Sequence, residues 1–157
     1  MLRRLLACAA LALPLPAAAD LGISLYGLSY HFDRSRARAL DVDNEVNPGL
    51  GVRYRVSRSE RLQWIVDVGG YRDSGRNTAL LAGAGALWQV TSGWRVGGAL
   101  AVLDSDTYNR GRTFIAPLPL AAYEFRSATL NFVYLPKVSD VNEVATLGFW
   151  LTWWVNP

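Results

Sequence analysis

The 157-residue chain is 51% hydrophobic and 18% charged, with a formal net charge of +3. That size suits one domain. With Lys137 the only lysine, there is no basic run with interleaved aromatics of the kind that grips nucleic acid. One histidine and one cysteine argue against a zinc centre and a disulfide framework, and no metal or cofactor is expected.

The N-terminus reads as a secretory signal. Arg3 and Arg4 form a positive region, and Leu5 to Leu13 an apolar stretch too short to cross a bilayer. Ala17-Ala18-Ala19 then supplies a small-residue cleavage site before Asp20. Residues 1–19 are expected to be removed and 20–157 to form the mature domain. Removal takes Cys8, and the 16 basic residues less Arg3 and Arg4 leave 14 against 13 acidic ones, about +1.

Eight strands follow from alternation and turn signals. They run roughly from Gly22 to Phe32, Gly51 to Val56, Leu62 to Tyr71, Thr78 to Val90, Trp94 to Leu103, Thr113 to Tyr123, Ala128 to Leu135 and Glu143 to Val155. No stretch sustains a helical period, so almost no helix is expected. The connections alternate in length. Tight turns sit at Ser57-Arg58-Ser59-Glu60, Thr91-Ser92-Gly93 and Glu124-Phe125-Arg126-Ser127. Longer polar loops run over 33–47, 72–77, 104–112 and 137–142. Short turns on one rim and long loops on the other is the habit of small outer-membrane barrels. The six tryptophans and seven tyrosines then read as interfacial girdles rather than a soluble core. The fold expected is an all-β, eight-stranded antiparallel transmembrane barrel. Its short turns face the periplasm, its long loops face outward, and a monomer is expected.

The fourth strand shows no clearly polar face, which predicts an apolar interior rather than a water channel. An eight-stranded barrel holds packed side chains or one small ligand. Gly83 and Gly85 leave room inside, or mark strand bending and tight packing. Pro117, Pro119 and Pro136 each remove a ladder donor, which implies gaps in pairing through which a lipid chain can pass sideways, unless they lie at strand ends.

His31 ends the first strand and Asp73-Ser74 follows the third, so all three sit on the long-loop rim. A histidine beside a hydroxyl and a carboxylate suits acyl transfer, because imidazole accepts a proton near neutral pH. A lone histidine near a loop also reads as a girdle residue, and Asp-Ser-Gly is an ordinary turn sequence. Adjacent residues on an extended strand point opposite ways, so a Ser–His–Asp relay needs the loop to break that alternation.

Several segments together resemble the outer-membrane lipid A palmitoyltransferase (PagP) family across most of the mature sequence. These are Leu25-Tyr26 through Tyr30-His31, then Asn44-Glu45 with Pro48-Gly49 and Gly51, then Asp73-Ser74. Ala82-Gly83-Ala84-Gly85, Ile115 to Leu120 and Tyr134-Leu135-Pro136 complete the set. The resemblance implies an acyltransferase that moves a palmitoyl chain from a phospholipid donor to a hydroxyl of lipid A in the Gram-negative outer membrane. It makes His31, Asp73 and Ser74 the catalytic candidates, with Asp73 orienting or charging the histidine. It places Gly85 at the acyl-chain ruler and Gly83, Pro48 and Pro117 among the substrate-binding positions. The chain would be a divergent member. It lacks the family's N-terminal amphipathic helix, has Gly75 for an aromatic residue, and has Gly27 or Leu28 near the place of a first-strand proline. It ends on Val155-Asn156-Pro157. The competing functions are a non-catalytic small barrel and a lipid hydrolase that uses the same rim residues.

Overall fold

A computed structural model describes residues 19–57 and 61–155. The expected signal segment (save Ala19 at its edge), the turn residues 58–60 and the Asn156-Pro157 end lie outside the described residues. The chain forms β1 (Ala19–His31), helix α1 (Arg34–Ala39), β2 (Val46–Ser57), β3 (Leu62–Arg72), β4 (Thr78–Gln89) and β5 (Trp94–Asp104). A 3₁₀ turn at Asn109–Gly111 follows, then β6 (Phe114–Glu124), β7 (Ala128–Leu135) and β8 (Thr146–Trp154). Each strand pairs antiparallel with the next, and β8 pairs back onto β1, from Gly22↔Trp154 to His31↔Thr146. The result is a closed eight-stranded barrel. All eight expected strands are present. β2 begins earlier than expected because it accommodates Asn47, Pro48 and Gly49 in extended backbone. β8 begins later, because 143–145 belong to the preceding loop.

Alternation sets the two faces. In β3, Gln63 and Ile65 point inward and are 5% and 2% exposed, while Trp64, Val66 and Val68 face out. The outer surface carries an apolar band that includes Leu25, Leu50, Val52, Val66, Val96, Leu100 and Ile115. Aromatic residues flank it at both ends. Tyr30, Phe32 and Tyr134 cluster towards the long-loop rim, whereas Trp64, Trp88, Trp94 and Trp153 sit towards the short-turn rim. No helix among the described residues is long and apolar enough to cross a membrane. The crossing is made by strands, most of whose backbone groups are paired by closure.

The interior divides into two halves, which corrects the expectation of an apolar interior. Towards the short turns it is filled by a polar plug. Arg53, 1% exposed, donates to both carboxylate oxygens of Asp67 at 2.7 and 2.8 Å and to Asn131 Oδ1. Asn131 Nδ2 donates to Thr152 Oγ1 (3.0 Å), which meets Ser24 Oγ at 3.1 Å. Beneath this, Arg55 pairs with Asp20, and Arg95 with Glu124. A small apolar cluster of Ile65, Leu87, Leu120 and Ala122 packs beside the plug. Towards the long loops the interior is an apolar bore.

The wall has two irregular seams. β6 stays paired with β5 up to Leu103↔Phe114, but its pairing with β7 stops at Leu120↔Val133. From Phe114 to Pro119, β6 therefore has no ladder partner on the β7 side. Pro117 and Pro119 are alternate residues, so both missing N–H groups fall on the same side of the strand. The second seam lies between β1 and β2. There the register jumps from Tyr26↔Gly49 to Leu28↔Val46, which leaves Gly27, Asn47 and Pro48 unpaired.

Candidate functional site

The last turn of β1 and the loop after β3 bring His31 and Ser74 together. His31 Nε2 lies 3.0 Å from Ser74 Oγ, and both residues are buried. Ser74 points inward because Asp73 shapes the turn. Asp73 Oδ1 accepts from Gly75 N (3.0 Å) and Asn77 N (2.9 Å), while its Oδ2 accepts from Ser105 Oγ. The turn breaks the strand alternation and swings the hydroxyl over the bore. A Cβ at Gly75 would meet the Thr107 side chain, which would have to shift to admit it.

Asp73 does not touch His31. Its carboxylate is engaged by the turn and by Ser105, so the expected Asp73–His31 contact is not made. The carboxylate beside the imidazole belongs to Glu45. Its Oε1 lies 3.5 Å from His31 Nδ1 and accepts from the His31 backbone N–H at 3.1 Å. Arg34 clasps Glu45 through two further bonds of 3.2 and 3.0 Å. Burial works against the Glu45 anion, but the His31 backbone N–H and the Arg34 guanidinium outweigh it and hold the carboxyl below its usual range. An anion facing Nδ1 favours the tautomer protonated there, which leaves Nε2 to accept from Ser74. Tyr108, on the loop between β5 and β6, places its hydroxyl beside Ser74. Burial, with a smaller contribution from the Asp73 charge, pushes that phenol up to about 12, so it stays a donor.

Sequence reasoning overlooked the roles of Glu45 and Tyr108. Glu45 stands 14 residues from His31 in the chain, and only the β1–β2 pairing joins them. The one available signal was an acidic residue just before a strand whose neighbour ends in histidine.

Two chambers meet at the pair. Below Ser74 lies an apolar bore of about 100 Å³, walled by Leu81, Gly83, Leu103, Leu118 and Leu135, with Tyr26, Asp67 and Trp150 at its lower end. That is several times the roughly 10–15 Å³ one water needs by the same measure. Above His31 and Ser74 the loops enclose a more polar chamber of about 260 Å³, lined by Thr107, Tyr108, Arg110, Asn142 and Glu143 among others. Gly83 lines the bore. Gly85 does not: it lies lower, opposite Ile65 and Ala99, where a Cβ would collide with the Gly98 carbonyl. Close strand packing accounts for that glycine. Pro117 faces outward on β6 beside the open seam, and Pro48 faces outward at the β1–β2 irregularity.

No family model matches the sequence, and no curated protein matches it. Solved structures do match in fold. A de novo designed transmembrane β-barrel aligns with a TM-score of 0.53 at 12% identity, over 91% of this chain and all of that one. The Yersinia pestis outer-membrane protein Ail, in a phospholipid bilayer nanodisc, aligns with a TM-score of 0.50 at 15% identity, over 87% of this chain and 99% of its own. At such identities the likeness concerns the fold, an eight-stranded transmembrane barrel.

Proposed function

We propose that the chain is an outer-membrane acyltransferase that moves a palmitoyl-type chain from a phospholipid to a hydroxyl of lipid A. The observation that carries the reading is the 3.0 Å contact between His31 Nε2 and Ser74 Oγ at the mouth of a mostly apolar bore. A base–hydroxyl pair above an apolar space suits the ester of a lipid whose tail enters the bore, since the carbonyl would then lie beside the hydroxyl. The β6–β7 seam supports sideways admission of that tail from the membrane.

In this mechanism Nε2 takes the Ser74 proton as Oγ attacks the donor ester carbonyl. The carbonyl C–O bond to the glycerol breaks, and the proton passes to the departing lysophospholipid alkoxide. A hydroxyl in the loop chamber then attacks the acyl-serine with His31 again as base, and the proton returns to Ser74. Glu45 stabilises the imidazolium formed in each half, and the Tyr108 hydroxyl donates to the developing oxyanion.

A second reading, a non-catalytic small barrel, is favoured by the fold likeness to Ail, whose name denotes an attachment invasion locus protein. Mass spectrometry of lipid A from cells carrying the wild-type gene, no gene, or His31→Ala separates the readings. An added acyl chain only with wild type supports transfer, and a lost chain supports hydrolysis. Identical lipid A in all three leaves the inert barrel.

A further inference from the structure

The base–hydroxyl pair is roofed over by the long loops. His31 is 1% and Ser74 5% exposed, beneath a loop chamber of about 260 Å³. Water fits that chamber as it stands. A hydroxyl borne on the glucosamine disaccharide of lipid A brings a far larger body with it, so part of the roof must move to admit it. The joints between the loops differ in how they are made.

The loop after β3 is fastened mainly by buried or half-buried hydrogen bonds. Asn44 donates from its backbone and its side chain to the Ser74 and Asp73 carbonyls, at 3.1 and 3.0 Å. Asp73 accepts from Ser105 Oγ, and Asn77 Nδ2 donates to Thr107 Oγ1 at 3.0 Å. Arg76 adds pairs with Asp41 and Asp43. The segment 137–143 is fastened by charge at the surface. Arg36 on α1 holds the Glu143 carboxylate and carbonyl, and Arg110 holds Asp140 at 2.7 Å. These four side chains are 39% to 71% exposed, the setting in which an ion pair contributes least. A backbone bond from Asn109 N to Val141 O (2.9 Å) completes the joint. Asn109, Arg110 and Asp140 there have φ of 49°, 57° and 67°, a left-handed backbone that side chains adopt at a cost. Inside the segment, Val138 and Asn142 exchange both backbone bonds at 2.8 Å, which makes it a unit. Its ends are set in the fold, at Pro136 after β7 and at Val144, which is 2% exposed.

We infer that 137–143 is a hinged flap, latched by Arg36–Glu143 and Arg110–Asp140, that lifts off the loop chamber to admit the acceptor lipid. The inference rests on the acyl-transfer reading and deepens it by naming the segment through which the acceptor reaches Ser74.

Two measurements on the full chain in phospholipid nanodiscs test it. The first is hydrogen exchange of the Asn109 amide, which bonds across the latch, against the Asn44 amide, which bonds across the other joint. Asp140→Asn with Glu143→Gln keeps the shapes and removes both charges. It is expected to speed Asn109 exchange about tenfold, the combined effect of two exposed pairs, and to leave Asn44 unchanged. Unchanged Asn109 exchange, or equal acceleration at both amides, overturns the flap. The second tethers Arg110→Cys with Asp140→Cys, in a Cys8→Ala background, through a short reducible bismaleimide. The bridge is expected to abolish acyl transfer to lipid A while lysophospholipid is still released, and reduction to restore transfer. Arg36→Cys with Glu143→Cys ties down the same flap if the first pair is inactive before bridging. Transfer that survives bridging overturns the inference. If wild type transfers no acyl chain, the acceptor role falls with the acyl-transfer reading, and the Asn109 comparison alone decides the flap.

Discussion

The two halves of the barrel interior are built on the same strands with the same alternation, yet they have opposite chemistry. Towards the short turns, inward positions carry Arg53, Asp67, Asn131, Thr152 and Ser24, joined in one hydrogen-bonded network that is buried except at Asp67, whose side chain is 13% exposed. Towards the long loops, inward positions carry leucine, alanine and glycine around an open space. The first half is satisfied and closed. The second leaves contacts unmade and is roofed by a base–hydroxyl pair. On the proposed reading stability is concentrated below and chemistry above, so substitutions in the two halves should fail in different ways.

The largest expected effect is on chemistry. His31→Ala or Ser74→Ala lowers acyl release from phospholipid by about 10²–10⁴-fold, while the heat-modifiable gel shift of a folded barrel persists. Of comparable size, but on the other axis, Arg53→Ala leaves Asp67 as an uncompensated buried charge. It costs about 3–5 kcal/mol in urea unfolding, and the surviving folded fraction retains its turnover. Leu81→Ala removes methyl groups that already face open space, so no new enclosed cavity is formed. It should lower stability by only about 1–2 kcal/mol. Loss of more than Arg53→Ala causes would erase the contrast between the halves. Glu45→Gln keeps the shape beside His31 and deletes the charge, and slows turnover by about tenfold (roughly 1.4 kcal/mol of imidazolium stabilisation). Unchanged turnover would assign Glu45 a loop-holding role alone.

The smallest effect is on pH dependence. A carboxylate held below its ordinary value contributes stability that is present above the unfolded value and lost as pH falls through the folded one. The Glu45 clasp should therefore hold while pH drops through the ordinary glutamate value of ~4.3 and release only below it. Hydrogen exchange of the His31 amide, which donates to Glu45, reads this directly.

Much of this contrast was hidden in the sequence. The strands were legible because turn residues such as Thr91-Ser92-Gly93 punctuate alternating segments, and the loop lengths gave the barrel its polarity. Pro48 obscured the start of β2, since a proline in a strand argues against the assignment unless the register is broken there, as it is. The plug was missed because its members lie far apart in the chain. Arg53 and Asp67 face each other only once β2 and β3 are in register. The available hint was Val52-Arg53-Tyr54-Arg55-Val56, where cations alternate with outward residues and so must point into the barrel. His31 and Ser74 could be named from chemistry and resemblance. That Asp73 would serve the turn and Glu45 the imidazole depends on side-chain direction, which neither spacing nor resemblance fixes.

The central claim is that the outer half of the bore presents a lipid ester to His31 and Ser74. Its most direct measurement reconstitutes wild type and His31→Ala in vesicles containing phospholipid with an isotopically labelled acyl chain and lipid A, followed by lipid mass spectrometry. The account predicts labelled, hyperacylated lipid A and lysophospholipid in equal amounts with wild type, and neither with the variant. Label that stays on phospholipid in both samples, with both barrels folded, would contradict it.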